Sequence, residues 1–190
     1  DDRPVFATFL GEPRPFTEAE LDSGSLAALL REIDIRFLPE AAERWTDAQL
    51  ARLIAGHKTL KHVLALIERG GWYGAEAFLA WMRGVLSSGE DCGRPRDYAG
   101  MTLAGFRIAT GRELTLIAAD TTDGRMLILN HRTAPDVPVE WATRMSMSVP
   151  LLWEEVVWQD AWGLYRGRDL AGHSVVDGGL LSNFPIEVLV

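Results

Sequence analysis

Asp177 is the side chain in this sequence best placed to act as a base. It follows the β-branched pair Val175 and Val176 and precedes Gly178 and Gly179. The valine pair predicts a short strand, and a Gly-Gly step lets the backbone turn sharply so that the carboxylate projects from the strand end into a crevice. A carboxylate held there can take a proton from a hydroxyl nucleophile such as serine. Taken alone, however, the tripeptide favours an ordinary turn between strands.

Other polar residues are weaker candidates for chemistry. His173 lies four residues before Asp177, but this spacing in a strand is accidental, and a histidine at the rim of the site is the better interpretation. His57 and His62 are five residues apart, which does not place them on one face of a helix, so no metal site is predicted. Asp120 and Asp123 are interpreted as turn residues, because too few oxygen ligands accompany them for calcium.

Seven tryptophans are many for this length, and four of them crowd into the segment just before the aspartate loop: Trp141, Trp153, Trp158 and Trp162. Core packing is the favoured interpretation, and a lipid-facing lip is the alternative. The glycine-containing segment 159–172 is interpreted as a mobile flap over the site. Ser146 and Ser148 are assigned to helix termination and close packing.

The pattern of apolar residues predicts helices followed by strands interleaved with further helices. Residues 1–24 are an irregular entry segment, residues 25–88 are helical, and residues 100–190 contain strands and helices and carry the aspartate loop. Together they are predicted to form a single domain. This order predicts an α/β fold with helices packed on a mostly parallel sheet. The predicted helices are 25–37, 46–54, 60–69, 77–85, 102–109 and 139–147, and the predicted strands are 114–119, 125–130 and 174–176. The first two strands can pair as a hairpin across the turn at 120–124, residues 89–97 are predicted to be a surface loop, and residues 185–190 open a last element.

Composition excludes several classes of partner. The chain has 190 residues, of which 47% are hydrophobic, and a formal charge of -8, which disfavours nucleic acid and gives no general attraction to anionic lipid surfaces. Cys92 is the single cysteine, so a reducing, cytoplasmic setting is favoured. No apolar run is long enough to span a bilayer. We therefore expect a soluble protein. Both ends look cut, so we also expect the domain to be incomplete.

Five segments, in order along the chain, resemble the patatin-like phospholipases. These are 71–74 (Gly-Trp-Tyr-Gly), Thr102-Leu103, 116–124, 142–150 and the stretch 173–185 around Asp-Gly-Gly. The resemblance implies a three-layer α/β/α domain with a mostly parallel central sheet that hydrolyses lipid acyl esters with a serine–aspartate dyad. It further implies that Asp177 is the base, that Gly178 and Gly179 shape its loop, and that Asn183 and Pro185 hold the strand that follows.

The chain departs from this pattern because no G-x-S-x-G nucleophile motif occurs in its 190 residues. We therefore expect the serine, with its strand and glycine loop, to lie on an upstream or companion segment, and the chain alone to be inactive. The expected partners are a lipid or ester substrate, a transient membrane surface at most, and flanking domains, with no cofactor and no metal. The main alternative is a non-catalytic lipid-binding or interaction module of the same fold, and an unrelated α/β binding domain is a third possibility.

Overall fold

The computed structural model describes residues 10–16, 58–91 and 93–181. Within these ranges helices and strands alternate along the chain, in agreement with the α/β prediction. The predicted features that lie outside the described residues are the helices at 25–37 and 46–54, the last element at 185–190, and the residues His57, Cys92, Asn183 and Pro185.

The described helices are α1 (Lys58–Arg69), α2 (Glu76–Leu86), α3 (Leu103–Thr110) and α4 (Val139–Ser146). Their ends follow local signals in the sequence. Gly70 takes a left-handed φ of 68° after α1, and Gly111 takes 70° after α3. Thr102 caps α3, since its Oγ1 accepts the Gly105 N–H at 3.1 Å, and Pro138 precedes the first residue of α4. These four predicted helices are confirmed. No helix within the described ranges is long and apolar enough to cross a bilayer.

The described strands are β1 (Gly71–Tyr73), β2 (Glu90–Asp91), β3 (Arg94–Pro95), β4 (Leu116–Asp120), β5 (Arg125–Leu129), β6 (Leu151–Trp153), β7 (Val156–Val157) and β8 (Ser174–Asp177). Four of them form a sheet in the order β5-β4-β8-β7. Separately, β1 pairs with β6, and β2 pairs with β3 inside the segment predicted to be a loop.

Strand direction differs from the expected mostly parallel sheet in this part of the chain. The pairing of β1 with β6 is parallel, whereas every pairing in the four-stranded sheet is antiparallel. The short turn at 121–124 dictates this result for β4 and β5, because a parallel pair needs a crossover of a dozen or more residues. The hairpin that the sequence predicted there is confirmed, with Leu116 opposite Leu129.

The core lies between this sheet and helix α4. Its largest fully buried side chains are Trp158, Leu103, Leu127, Leu129, Met145 and Leu170. Leu64 of α1 and Trp153 of β6 are also fully buried, outside this cluster. The tryptophans before the aspartate therefore pack mainly in the interior, as favoured from the sequence, although Trp141 is only half-buried.

The interpretation of residues 159–172 as a mobile flap is wrong. Trp162, Tyr165 and Leu170 of this segment are buried in the core, and the Tyr165 hydroxyl accepts the Ile128 N–H at 3.1 Å. Burial of aromatic side chains at this density fixes the segment against the sheet. The glycines of this segment lie in turns between these buried side chains, and Gly163 has a φ of 63°.

Candidate active site

Asp177 is the last residue of β8 and also caps the short 3₁₀-helix 178–180. Val175 and Val176 are fully buried, and Asp177 itself lies opposite Ala118 of β4. Its Oδ1 accepts the Gly179 N–H at 2.9 Å. Among the described residues no donor contacts Oδ2. One carboxylate oxygen is thus fixed by the turn, while the other can accept a proton.

Gly178 lies so close to β4 that a side chain would not fit. A Cβ built on it would be 2.5 Å from Cγ2 of Ile117, 2.8 Å from the Ile117 carbonyl carbon and 3.0 Å from the Ala118 nitrogen. Two of these neighbours are backbone atoms, which cannot move without shifting the strand. A glycine at this position lets the chain turn directly against the sheet after Asp177.

The backbone of Asp177 is held from the other side by Ser148, two residues beyond the end of α4. Its N–H donates to the Ser148 carbonyl at 2.9 Å. Ser148 is completely buried, and its Oγ donates to the Arg144 carbonyl at 2.5 Å while accepting a hydrogen bond from Nη1 of Arg144. The second guanidinium nitrogen, Nη2, donates to the Glu154 carbonyl at 2.6 Å.

Apolar side chains are exposed on both segments that the Asp177–Ser148 hydrogen bond joins. Val149 and Leu151 follow Ser148 and are 46% and 70% exposed, and Leu180 and Leu181 follow the aspartate loop and are 57% and 50% exposed. Leu151 also has a left-handed φ of 69°, which is uncommon for a residue with a side chain. Large apolar residues exposed on both segments are suited to contact with hydrocarbon.

His173 contacts Asp120 rather than Asp177. Its Nδ1 lies 3.0 Å from Oδ2 of Asp120, and Oδ1 of Asp120 accepts the N–H groups of Thr122 and Asp123. Burial alone raises the pKa of Asp120, but the hydrogen bonds from His173 and the Asp123 backbone, together with nearby positive charge, bring that pKa below its usual value. The interpretation of Asp120 as a turn residue is supported by these bonds.

Ligand atoms of Asp120, Asp123 and His173 all lie within 4.8 Å of one another, which raises the question of a metal ion. Arg125 already occupies the space between the carboxylates, with Nε 3.2 Å from Asp120 Oδ2 and Nη2 3.1 Å from Asp123 Oδ2. A guanidinium in this position neutralises the charge that would attract a cation. His62 is likewise engaged, since its Nδ1 lies 2.7 Å from the Trp72 carbonyl oxygen.

A cavity of about 490 Å³ lies beside α2 and α4, and its lining includes Leu79, Trp141, Arg144 and Glu154. The Glu154 carboxylate accepts hydrogen bonds from Arg69 Nη1 at 3.1 Å and from the backbone N–H of Arg14 at 3.0 Å. Asp177 is not among the residues that line this cavity.

The three residues predicted for the site, Asp177, Gly178 and Gly179, lie together on one turn. Sequence reasoning missed Arg144, which is 3% exposed, and it assigned Ser148 to helix termination and close packing without a link to the aspartate. A signal was present, because Arg144 is the only charged residue between Glu140 and Glu154. A single charge in an apolar stretch of this length marks a buried group with a fixed partner.

Comparison with known proteins identifies the family. The sequence pattern described as patatin-like phospholipase matches residues 23–190. The chain belongs to the patatin-like phospholipase family. One relative of known sequence, "Uncharacterized protein YqhO" from Bacillus subtilis (strain 168), is 42% identical over 79 residues, covering 38% of this chain and 24% of that protein. The chain thus matches about a quarter of the length of this relative. No solved structure gives a significant match.

Membership of the patatin-like phospholipases confirms the family expected from the sequence and its α/β class. The matched range includes Asp177 and both glycines after it.

Proposed function

We propose that this chain supplies the general base of a serine lipid acyl hydrolase, and that Asp177 is that base. The observation that carries the proposal is the geometry of the carboxylate at the end of β8. Oδ1 is fixed by the Gly179 N–H, and Oδ2 has no donor among the described residues. A base held in one orientation with one free oxygen suits proton abstraction from a serine hydroxyl.

The reaction we propose has two steps. The serine oxygen attacks the ester carbonyl carbon as its proton passes to Asp177, and the ester C–O bond then breaks as the leaving alcohol takes that proton from Asp177. Water next attacks the acyl-serine as its proton passes to Asp177, and the bond between the acyl carbon and the serine oxygen then breaks as that oxygen takes the proton back from Asp177, which releases the fatty acid. Because the chain contains no G-x-S-x-G, we place the nucleophile and the backbone donors of the oxyanion hole on a segment outside these 190 residues.

The exposed apolar residues near the aspartate support a lipid ester as the substrate. Val149, Leu151, Leu180 and Leu181 lie on the two segments joined through the Asp177 N–H. Hydrocarbon chains placed against such side chains would lose contact with water, which favours binding by about 25 cal/mol per Å² of apolar surface buried. We expect the same residues to make any transient contact with a membrane surface.

A non-catalytic lipid-binding module is the second candidate, and the absence of G-x-S-x-G from the chain is the observation that favours it. A fold of this family without its nucleophile would retain the apolar surface while losing chemistry. Covalent labelling distinguishes the two candidates, since only the enzyme has a serine that reacts with a fluorophosphonate.

The test uses the natural protein that carries this chain, together with its Asp177→Asn and Asp169→Asn variants. Asp169 is a matched control, because its Oδ1 accepts the N–H of Ala171, two residues ahead, at 2.9 Å, as Asp177 does with Gly179. We expect Asp177→Asn to lower kcat for ester hydrolysis by about 10² to 10⁴ with an unchanged circular dichroism spectrum, and Asp169→Asn to leave kcat unchanged.

Intact mass measurement after fluorophosphonate treatment completes the test. A covalent adduct outside residues 1–190 supports the enzyme, and we expect the 190-residue chain alone to remain unlabelled. Full activity of the Asp177→Asn variant would refute the role of this aspartate. A natural protein that binds lipid vesicles without being labelled would establish the non-catalytic module instead.

A further inference from the structure

Arg144 is a buried cation at the C-terminal end of α4. Its side chain is 3% exposed, and no carboxylate of a described residue forms an ion pair with it. The guanidinium donates instead to Ser148 Oγ and to the Glu154 carbonyl, and it lies 5.6 Å from the centre of the Trp153 ring. Burial lowers the pKa of Arg144 to about 10, although Glu154 and Glu76 oppose the shift, so the group stays charged at neutral pH.

A buried guanidinium is costly unless its N–H groups are satisfied, so its partners are held tightly. Both partners of Arg144 belong to the segment that leaves α4. Ser148 comes before the turn at Pro150, and Glu154 comes directly after β6, where its N–H donates to the Tyr73 carbonyl at 2.9 Å. The arginine therefore fixes the segment 148–154 at both of its ends.

Ser148 connects this fixed segment to the candidate base. Its Oγ is held by Arg144, and its carbonyl accepts the N–H of Asp177 at 2.9 Å. The opposite side of the loop is set by the contact of Gly178 with β4. Movement of the Ser148 carbonyl would therefore release one of the two supports of the Asp177 backbone.

We propose that Arg144 is a positioning residue, which acts through Ser148 to fix the backbone of Asp177. The proposal rests on the proposed function for its effect on hydrolysis, but its structural step can be measured without any activity. The variants are Arg144→Met, which removes the charge, Arg144→Lys, which keeps it, Ser148→Ala, and the double variant Arg144→Met/Ser148→Ala.

The first measurement is amide hydrogen exchange at Asp177 by NMR. The Trp158 amide, which donates to the His173 carbonyl at 2.9 Å, serves as the internal reference for global unfolding. We expect exchange at Asp177 relative to Trp158 to be about 10- to 100-fold faster in Arg144→Met and Ser148→Ala. In these variants the local opening that exposes the Asp177 amide no longer has to break the charge-assisted hydrogen bond between Arg144 and Ser148. Arg144→Lys, which can reach one partner, is expected to lie between these variants and the wild type.

Arg83→Met is the matched control for a merely structural arginine. Arg83 donates through Nε and Nη2 to the Glu140 carboxylate at 2.8–3.0 Å, so its loss destabilises the same helix without touching Ser148. We expect this variant to lower the melting temperature while exchange at Asp177 relative to Trp158 stays unchanged.

The second measurement is ester hydrolysis by the natural protein at a temperature well below unfolding. We expect Arg144→Met to lower kcat about 100-fold with KM unchanged, since a shift of about 1 Å at a catalytic group has an effect of this size. The double variant should be no slower than Arg144→Met, because both changes break one connection. Arg83→Met should keep the wild-type kcat.

The outcomes separate the two proposals. Unchanged exchange at Asp177 in Arg144→Met overturns the positioning role, whatever the protein hydrolyses. Faster exchange at Asp177 in an Arg144→Met protein that keeps the wild-type kcat would show that the positioning by Arg144 does not contribute to catalysis, and would overturn that part of the proposal. Faster exchange in a protein whose wild type neither hydrolyses esters nor reacts with the fluorophosphonate would leave the structural link intact and refute the proposed function.

Discussion

Replacement of Gly178 by alanine perturbs the aspartate loop at its closest contact with the sheet. The φ of Gly178 is not left-handed, so alanine meets no backbone strain and only the space around its methyl group matters. The methyl carbon would lie 2.5 Å from Ile117 Cγ2 and 2.8 Å from the Ile117 carbonyl carbon. Ordinary contact begins near 3.4 Å, so the loop must move away from β4 by about 1 Å.

This displacement sets two expected magnitudes. Overpacking of a well-packed site lowers the free energy of unfolding by about 1–3 kcal/mol, which for a domain of this size lowers the melting temperature by about 2–12 °C. A shift of about 1 Å at Asp177 is expected to lower kcat about 100-fold in the natural protein, with a smaller effect on KM. The two effects need not scale together, because the first reports the whole domain and the second reports one carboxylate.

Gly84→Ala is the matched control. Gly84 lies inside α2, and beyond the backbone of its own helix no atom lies within 4 Å of the position that an alanine methyl group would take. Alanine there should therefore raise the free energy of unfolding by about 0.5–1 kcal/mol. Thermal unfolding followed by circular dichroism, and initial rates with a chromogenic ester, measure both variants. A Gly178→Ala protein with the wild-type melting temperature and kcat would refute the argument that the close approach to β4 sets the aspartate geometry.

Two further predictions concern charge and the apolar surface. Since the pKa of Asp120 is lower in the folded chain than in the unfolded one, its contribution to stability is present above the unfolded pKa of about 3.9 and is lost as the pH falls through the folded pKa. Urea unfolding from pH 6 to pH 3 should therefore show a shallower loss of stability for Asp120→Asn than for the wild type, and equal slopes would contradict this. Leu151→Ser and Leu180→Ser should weaken co-sedimentation of the protein with phosphatidylcholine vesicles at unchanged melting temperature, whereas unaltered binding by both variants would exclude these side chains from lipid contact.

Sequence patterns predicted the features that depend on neighbouring residues. Thr102 and Gly111 delimit α3 because a cap and a left-handed glycine act within one turn of helix. The hairpin of β4 and β5 was predicted for the same reason, since its turn at 121–124 is short and polar. The place of Asp177 at a strand end followed from the two valines before it and the glycines after it.

Features that depend on distant residues could not be predicted in the same way. The parallel pairing of Gly71 with Leu151 leaves no trace in either segment, and the packing of Trp162 and Tyr165 against the sheet reversed the interpretation of a polar, glycine-containing segment as a flap. For Arg144 the sequence carried only half of the information. Its isolation among apolar residues indicated burial, but its partners, the Ser148 hydroxyl and the Glu154 carbonyl, are placed around it by backbone geometry.

The pairing of β8 with β4 also has a consequence for the order in which the chain folds. Residues 120 and 125 of the hairpin meet across a short turn, whereas Asp177 pairs with Ala118, 59 residues earlier. Closing a longer loop costs more entropy and is slower, so we expect pulse-labelled hydrogen exchange to record protection in β5 before protection at Asp177. During synthesis the hairpin can form while Asp177 is still inside the ribosome. The candidate base would then join a hairpin that is already in place.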